Sequence, residues 1–114
     1  MTIKDIIVGL AVWAERDPGR DYAVDLANHF NSHITGAAYA IEPPLTVGMI
    51  GEVPADLFSD YRAKAKRAAE AAVAEFKKQA TRSGVHAISI VEEATVDQAT
   101  AGFCKLARTR DLSI

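Results

Sequence analysis

Ile6-Ile7-Val8-Gly9-Leu10-Ala11-Val12-Trp13 is the stretch on which the reading of this chain turns. It opens as an unbroken apolar, β-branched run, whereas a strand with one wet face would alternate apolar and polar residues. A continuous run belongs to a central strand covered on both faces, as in a parallel sheet flanked by helices. In open sheets of this kind the ligand crevice lies off the carboxyl ends of the strands. The residues around and after Leu10 are therefore expected to border whatever is bound.

Working outward, Glu15-Arg16-Asp17-Pro18-Gly19-Arg20 forms a polar turn in which Asp17 can cap a helix and Pro18 can take its first position. Tyr22, Ala23, Leu26, Ala27 and Phe30 then recur at helical spacing as one apolar stripe, with Arg20, Asp21, Asp25 and Asn28 facing water. Ile34 to Ile41 is rich in small and β-branched residues and is stopped by Glu42-Pro43-Pro44, so it reads as a second strand. The segment from Pro43 to Pro54 carries Leu45, Val47, Met49 and Ile50 between its prolines, and a loop this apolar is expected to pack over a partner, a ligand or its own domain. Leu57, Tyr61, Ala65, Ala68, Ala72, Phe76 and Ala80 mark one face of a long helix of about seven turns, ended by Ser83-Gly84. Val85 to Val91 reads as strand three. Thr95-Val96-Asp97-Gln98 has the form of a capping box, followed by a third helical stripe of Ala99, Phe103, Leu106 and Ala107. Asp111 to Ile114 begins a fourth strand.

The order is β-α-β-α-β-α-β, with neither an internal repeat nor a low-complexity segment. Such alternation implies right-handed crossovers and a mainly parallel open sheet with helices on both faces. The 114 residues are one domain with room for one core. Because they end inside a strand, they are expected to be part of a longer domain. A formal charge of -2 offers no general attraction to nucleic acid or anionic lipid. No apolar run approaches the roughly 18 residues that a membrane span needs. Cys104 is the single cysteine, so an intrachain disulfide and a cysteine-based metal cluster are both excluded, and a cytoplasmic setting is expected.

At this point the chain resembles the universal stress protein family, one of the adenine-nucleotide α-hydrolase-like folds. The resemblance rests on Lys4-Asp5-Ile6-Ile7-Val8, on His33-Ile34-Thr35-Gly36, on the proline-bearing loop and the long Ala-rich helix, and on Ala107-Arg108-Thr109-Arg110-Asp111-Leu112. In ATP-binding members the first strand ends in an Asp that bonds the nucleotide, a valine beside the base ends strand two, and a Gly-rich segment after strand four wraps the phosphates. Here Ala11 stands where the Asp would be and Ala40 where the valine would be, and the phosphate segment would lie beyond Ile114. An alanine side chain accepts no hydrogen bond, so any contact at position 11 would have to come from backbone. Helix-end amides supply the main favourable phosphate contacts, so these residues are expected to bind ATP poorly or not at all.

The candidate adenine-nucleotide crevice thus comprises Gly9, Leu10, Ala11, Trp13 and Ala40, with Trp13 stacking on a base or packing on the first helix or the apolar loop. Gly48-Met49-Ile50-Gly51 lacks the Lys-Ser/Thr continuation of a phosphate loop and reads as loop flexibility. His29, His33 and His86 have no metal-ligand spacing, and Asp21 and Asp25 read as solvated carboxylates. Glu92 and Glu93 are expected in a solvated loop after an edge strand. Cys104 is expected to be a buried or half-buried inert thiol. Arg62, Lys64, Lys66, Arg67, Lys77, Lys78 and Arg82 make the long helix basic, but Asp60, Glu70 and Glu75 balance it as a solvated face. No serine carries a nucleophile-elbow pattern.

The sequence therefore points to a regulatory or binding module with no resident cofactor and no catalytic or metal residues. Its exposed fourth strand is expected to be covered by a second copy in a homodimer. The rival readings are an adenine-nucleotide-binding switch whose phosphate loop lies beyond residue 114, and a nucleotide hydrolase.

Overall fold

The computed structural model describes residues 3–41 and 55–114. The expectations for the Pro43–Pro54 loop, for Gly48-Met49-Ile50-Gly51 and for the side chain of Leu57 lie outside the described residues. Seven elements follow in the expected alternation: β1 (Asp5–Gly9), α1 (Pro18–Phe30), β2 (His33–Ile41), α2 (Ala55–Arg82), β3 (Ala87–Ala94), α3 (Val96–Ala107) and β4 (Leu112–Ser113). The four strands form a parallel sheet in the order β3-β2-β1-β4. That order places β1 inside the sheet, as its unbroken apolar run requires.

The two faces of the sheet are covered differently. Ile6, Val8 and Leu10 of the first strand join Ile34, Ala38 and Ala40 of β2 in a core closed by Ala23, Val24 and Ala27 of α1 and by Ala65, Ala69, Val73 and Phe76 of α2. The opposite face is covered by α3, which packs on β1, β2 and β3. Ile6, Ile7 and Val8 are all fully buried, although consecutive residues point to opposite faces, so both faces are dry at β1. Gly36 has a specific reason to be glycine: a Cβ there would stand 2.7 Å from two ring carbons of Phe76. The largest fully buried side chain lies directly on this backbone.

Helix boundaries follow the chemistry at their ends. Asp17 caps α1 with Pro18 in the first turn, and Asn31 closes it in the left-handed conformation at φ 54°. Thr95 and Gln98 bond reciprocally as a capping box at the start of α3. Gly84, at φ +70°, ends the turn after α2, and Val85 N–H returns to Ala80 C=O.

The apolar stripes are narrower than periodicity implied. In α1 the buried residues are Ala23, Val24 and Ala27, while Tyr22 is 60% and Phe30 40% exposed. A helix laid on a sheet buries only its line of closest approach, and small side chains on that line let it come close. In α2 the buried line passes through Ala65, Ala69, Val73, Phe76 and Ala80, so Ala69 and Val73 replace Ala68 and Ala72 at its centre, and Tyr61 is largely exposed. β3 runs to Ala94 instead of ending at Val91, because Tyr39 and Ala40 of β2 continue the ladder opposite Glu92 and Glu93. Both glutamates are exposed, but they stand on an edge strand and not in a loop.

Candidate functional site

β1 delivers the chain to the carboxyl end of the sheet, where three consecutive amides are all engaged within the protein. Gly9 N–H donates to Ile114 C=O at 3.0 Å and Leu10 N–H to Ala37 C=O at 2.8 Å. Ala11 N–H donates to Oδ2 of Asp17 at 2.8 Å. The other carboxylate oxygen of Asp17 accepts from Arg20 N–H at 3.1 Å, and the residue is only 7% exposed. One buried side chain therefore clamps the loop leaving β1 to the first turn of α1. Sequence reasoning identified Asp17 as a helix cap but missed its bond to Ala11, because a contact six residues back has no periodic signature.

Among the described residues, the five residues expected in one crevice line three hollows. Ala11 and Trp13 line a space of about 340 Å³ between the loop after β1, the start of α1 and the middle of α2, together with Arg20, Ala72, Glu15 and Glu75. Gly9 and Leu10 line a second space of about 310 Å³ on the other face, with Tyr39, Phe103, Cys104 and Ile114 among its walls. Ala40 borders a third, of only about 10 Å³, beside Arg62 and Glu93.

The first hollow is polar. Arg20 brings a guanidinium whose Nε is buried without a partner, while its Nη2 lies 3.4 Å from Asp21. Two carboxylates, Glu15 and Glu75, stand on the same walls. Trp13 is 62% exposed on this rim and holds a backbone φ of 75°, a conformation that costs an L-residue roughly 1 to 2 kcal/mol. Its ring is thus not sealed against α1. Asp21 is more than a solvated carboxylate, since Gln79 of α2 donates to it at 2.9 Å and ties the two helices together.

The second hollow is largely apolar. Phe103 lies 3.5 Å from where a Cβ on Gly9 would be, so the small residue at the end of β1 leaves room for the ring. Tyr39 presents a buried hydroxyl without a hydrogen-bond partner, and burial together with the nearby Glu92 carboxylate pushes its ionisation above the ordinary phenol value. Cys104, expected to be buried or half-buried, is exposed at the edge of this space, because α3 presents Ala99 and Phe103 to the sheet and turns the following residue outward.

Other sequence candidates are placed as follows. His33 and His86, unrelated in sequence, come together at the amino-terminal margin of the sheet with ring centroids 4.9 Å apart, whereas His29 sits edge-on to Phe30 at the end of α1. Asp25 is exposed. The lysines and arginines of α2 named above are all exposed, and Arg82 pairs with Glu75 at 3.9 Å. Among the described residues no group of three His, Cys, Asp or Glu side chains is arranged to hold a metal, and no helix is long and apolar enough to cross a membrane.

No protein-family profile matches the chain, and no curated protein matches it. Solved structures do. A universal stress protein UspA from Lactobacillus plantarum superposes with a TM-score of 0.73 at 13% identity, covering 99% of this chain and 76% of that one. A protein of the universal stress protein family from Burkholderia pseudomallei superposes with a TM-score of 0.57 at 14% identity, covering 98% of this chain and 96% of the other. The chain therefore has the universal-stress-protein fold. The similarity extends along its whole length.

Proposed function

We propose that this chain is a regulatory or binding module of the universal-stress-protein type, serving a stress response in the cytoplasm without catalysing a reaction, and that it holds ATP weakly or not at all. The observation that carries this reading is the state of Ala11. Its side chain offers no acceptor, and its amide is already bonded to Asp17. The neighbouring amides of Gly9 and Leu10 are spent on the sheet. At the start of α1, Pro18 has no N–H and the amide of Arg20 is capped by Asp17. Phosphate groups gain most from free amides at a helix N-terminus, so the usual source of that gain is depleted here. Glu15 and Glu75 line the same hollow as Arg20, which disfavours a polyanion further.

Isothermal calorimetry of the chain with ATP tests this reading. The expected result is no saturable heat in the micromolar range. Micromolar affinity would overturn it.

A second reading, an adenine-nucleotide switch, is favoured by Trp13, whose exposed ring borders a hollow large enough for a base. Trp13 is the single tryptophan, so its fluorescence reports directly on that site. Saturable quenching by adenosine supports base stacking, while a flat titration removes this reading. The quaternary arrangement we propose is a homodimer that covers the edge strand β4, whose outward side carries no strand among the described residues. Light scattering across a concentration series is expected to show twice the chain mass, and a monomer at high concentration refutes it.

A further inference from the structure

The row of residues that opens the strands contains a feature unconnected with the crevice. His33 opens β2, and His86 immediately precedes β3. Both backbones are fixed there: His33 N–H donates to Lys4 C=O at 2.8 Å, and Ile34 N–H donates to His86 C=O at 3.0 Å. The two imidazoles are exposed, with centroids 4.9 Å apart and planes tilted by 51°.

Each of those two numbers bears on metal binding. A metal held by an imidazole nitrogen lies in the ring plane, about 2.0 to 2.1 Å from the nitrogen and therefore roughly 3.2 Å from the centroid. Two rings on one ion, at the bond angles of about 90° to 110° found in square-planar and tetrahedral sites, then have centroids about 4.5 to 5.2 Å apart. The observed separation falls inside that interval. Stacked rings with parallel planes would share no point in both planes, whereas rings tilted by 51° do, so the tilt permits what stacking would forbid. Asp5 stands opposite His33 in the β1–β2 ladder, which places an acidic residue next along the same row. No third ligating side chain joins the pair among the described residues, so water would have to complete the coordination of an ion held there.

We propose that His33 and His86 form a two-imidazole site for a late first-row divalent cation, of the class of copper(II), nickel(II) or zinc(II). Imidazole is a preferred ligand of these ions and a poor one for magnesium or calcium. Binding joins the starts of β2 and β3. Along β2 the site lies four residues before Ala37 and seven before Ala40, which border the hollows at the other end of the sheet, roughly 13 to 23 Å away at about 3.3 Å per residue. It is therefore separate from the hollows at the carboxyl end of the sheet.

The test is a calorimetric titration of the chain with copper(II) in a non-coordinating buffer, run alongside proton spectroscopy of the histidine rings. The expected result is one ion per chain, with affinity lowered at least about tenfold in His33→Ala and equally in His86→Ala, and unchanged in His29→Ala. Magnesium is expected not to compete. Both side chains are exposed, so the substitutions spare the core, and paramagnetic broadening of two ring signals but not the third gives a readout that needs no variant. The proposal is overturned if either single variant binds like the parent chain, if His29→Ala loses as much, or if all three rings broaden alike.

Discussion

Substituting Asp17 by alanine removes the clamp on which the first crossover depends, and its cost can be worked from the two bonds it makes. Oδ1 caps α1 through Arg20 N–H at 3.1 Å, and Oδ2 holds Ala11 N–H at 2.8 Å. Loss of an N-cap costs about 1 kcal/mol. Loss of the second bond strands a part-buried amide, at roughly 1.5 to 3 kcal/mol for a charged acceptor. Releasing a nearly buried carboxylate from its desolvation offsets part of this, so the net destabilisation expected is about 2 to 3 kcal/mol. At this chain length that corresponds to roughly 8 to 12 °C in Tm. Asp17→Asn keeps one acceptor oxygen and remains a good cap, so about 1 kcal/mol is expected. Urea unfolding supplies both values, and hydrogen exchange of the Ala11 amide supplies the local one: exchange is expected to accelerate in Asp17→Ala more than at amides elsewhere in the loop. The reasoning is refuted if Asp17→Ala costs less than about 0.5 kcal/mol, or if Asn is as damaging as Ala, since then neither bond is the source of the effect.

Gly36→Ala forces Phe76 to retreat by several tenths of an ångström from contacts at 2.7 to 3.0 Å, and overpacking of this kind costs about 1 to 3 kcal/mol. Phe76→Leu in the same chain is expected to recover part of it, and additive losses in the double variant would contradict the contact. Amides of Lys4 and Asp5 donating to Asp111 hold its carboxyl below the ordinary carboxylate range. A depressed folded value contributes stability above about pH 4 that is lost as pH falls through the lower folded value, so the deficit of Asp111→Asn in urea midpoint should be largest at neutral pH and vanish in strong acid. The buried hydroxyl of Tyr39 has no partner, so Tyr39→Phe is expected to be neutral or stabilising in the same assay, and a clear loss would reveal a bond to it.

The fold was legible because its signals are local and repeated. The apolar run at Ile6 to Val8, Asp17-Pro18, the capping box at Thr95 and Gln98, and Ser83-Gly84 each mark a boundary through chemistry confined to a few residues. The arrangement of side chains at the site was less legible, for the same reason. Asp17 bonding Ala11, Gln79 bonding Asp21 and His33 meeting His86 depend on where separate elements come together. Periodicity also overestimates stripe width, since it treats a helix as facing a concave core, and α1 lies on a sheet. Tyr22 is exposed on that account.

What the carboxyl end of this sheet can bind follows from what its backbone has left to give. With the amides of Gly9, Leu10 and Ala11 all committed, a ligand there meets side chains and apolar walls, and the loop leaving β1 offers it no preformed row of donors. The hollow beside Phe103 and Leu10 suits a small apolar group, and the one beside Trp13 suits a flat ring close to a single guanidinium. Neither resembles a cradle for a triphosphate. In this chain the same Asp17 that begins the first helix also draws in the loop that would otherwise present its amide to a ligand. On the proposed reading, structural closure of the loop and weak anion binding at its end are two consequences of one side chain. On this argument Asp17→Ala frees an amide at the rim of the crevice while it destabilises the fold, and any gain in anion binding by that variant would identify the clamp as what closes the site.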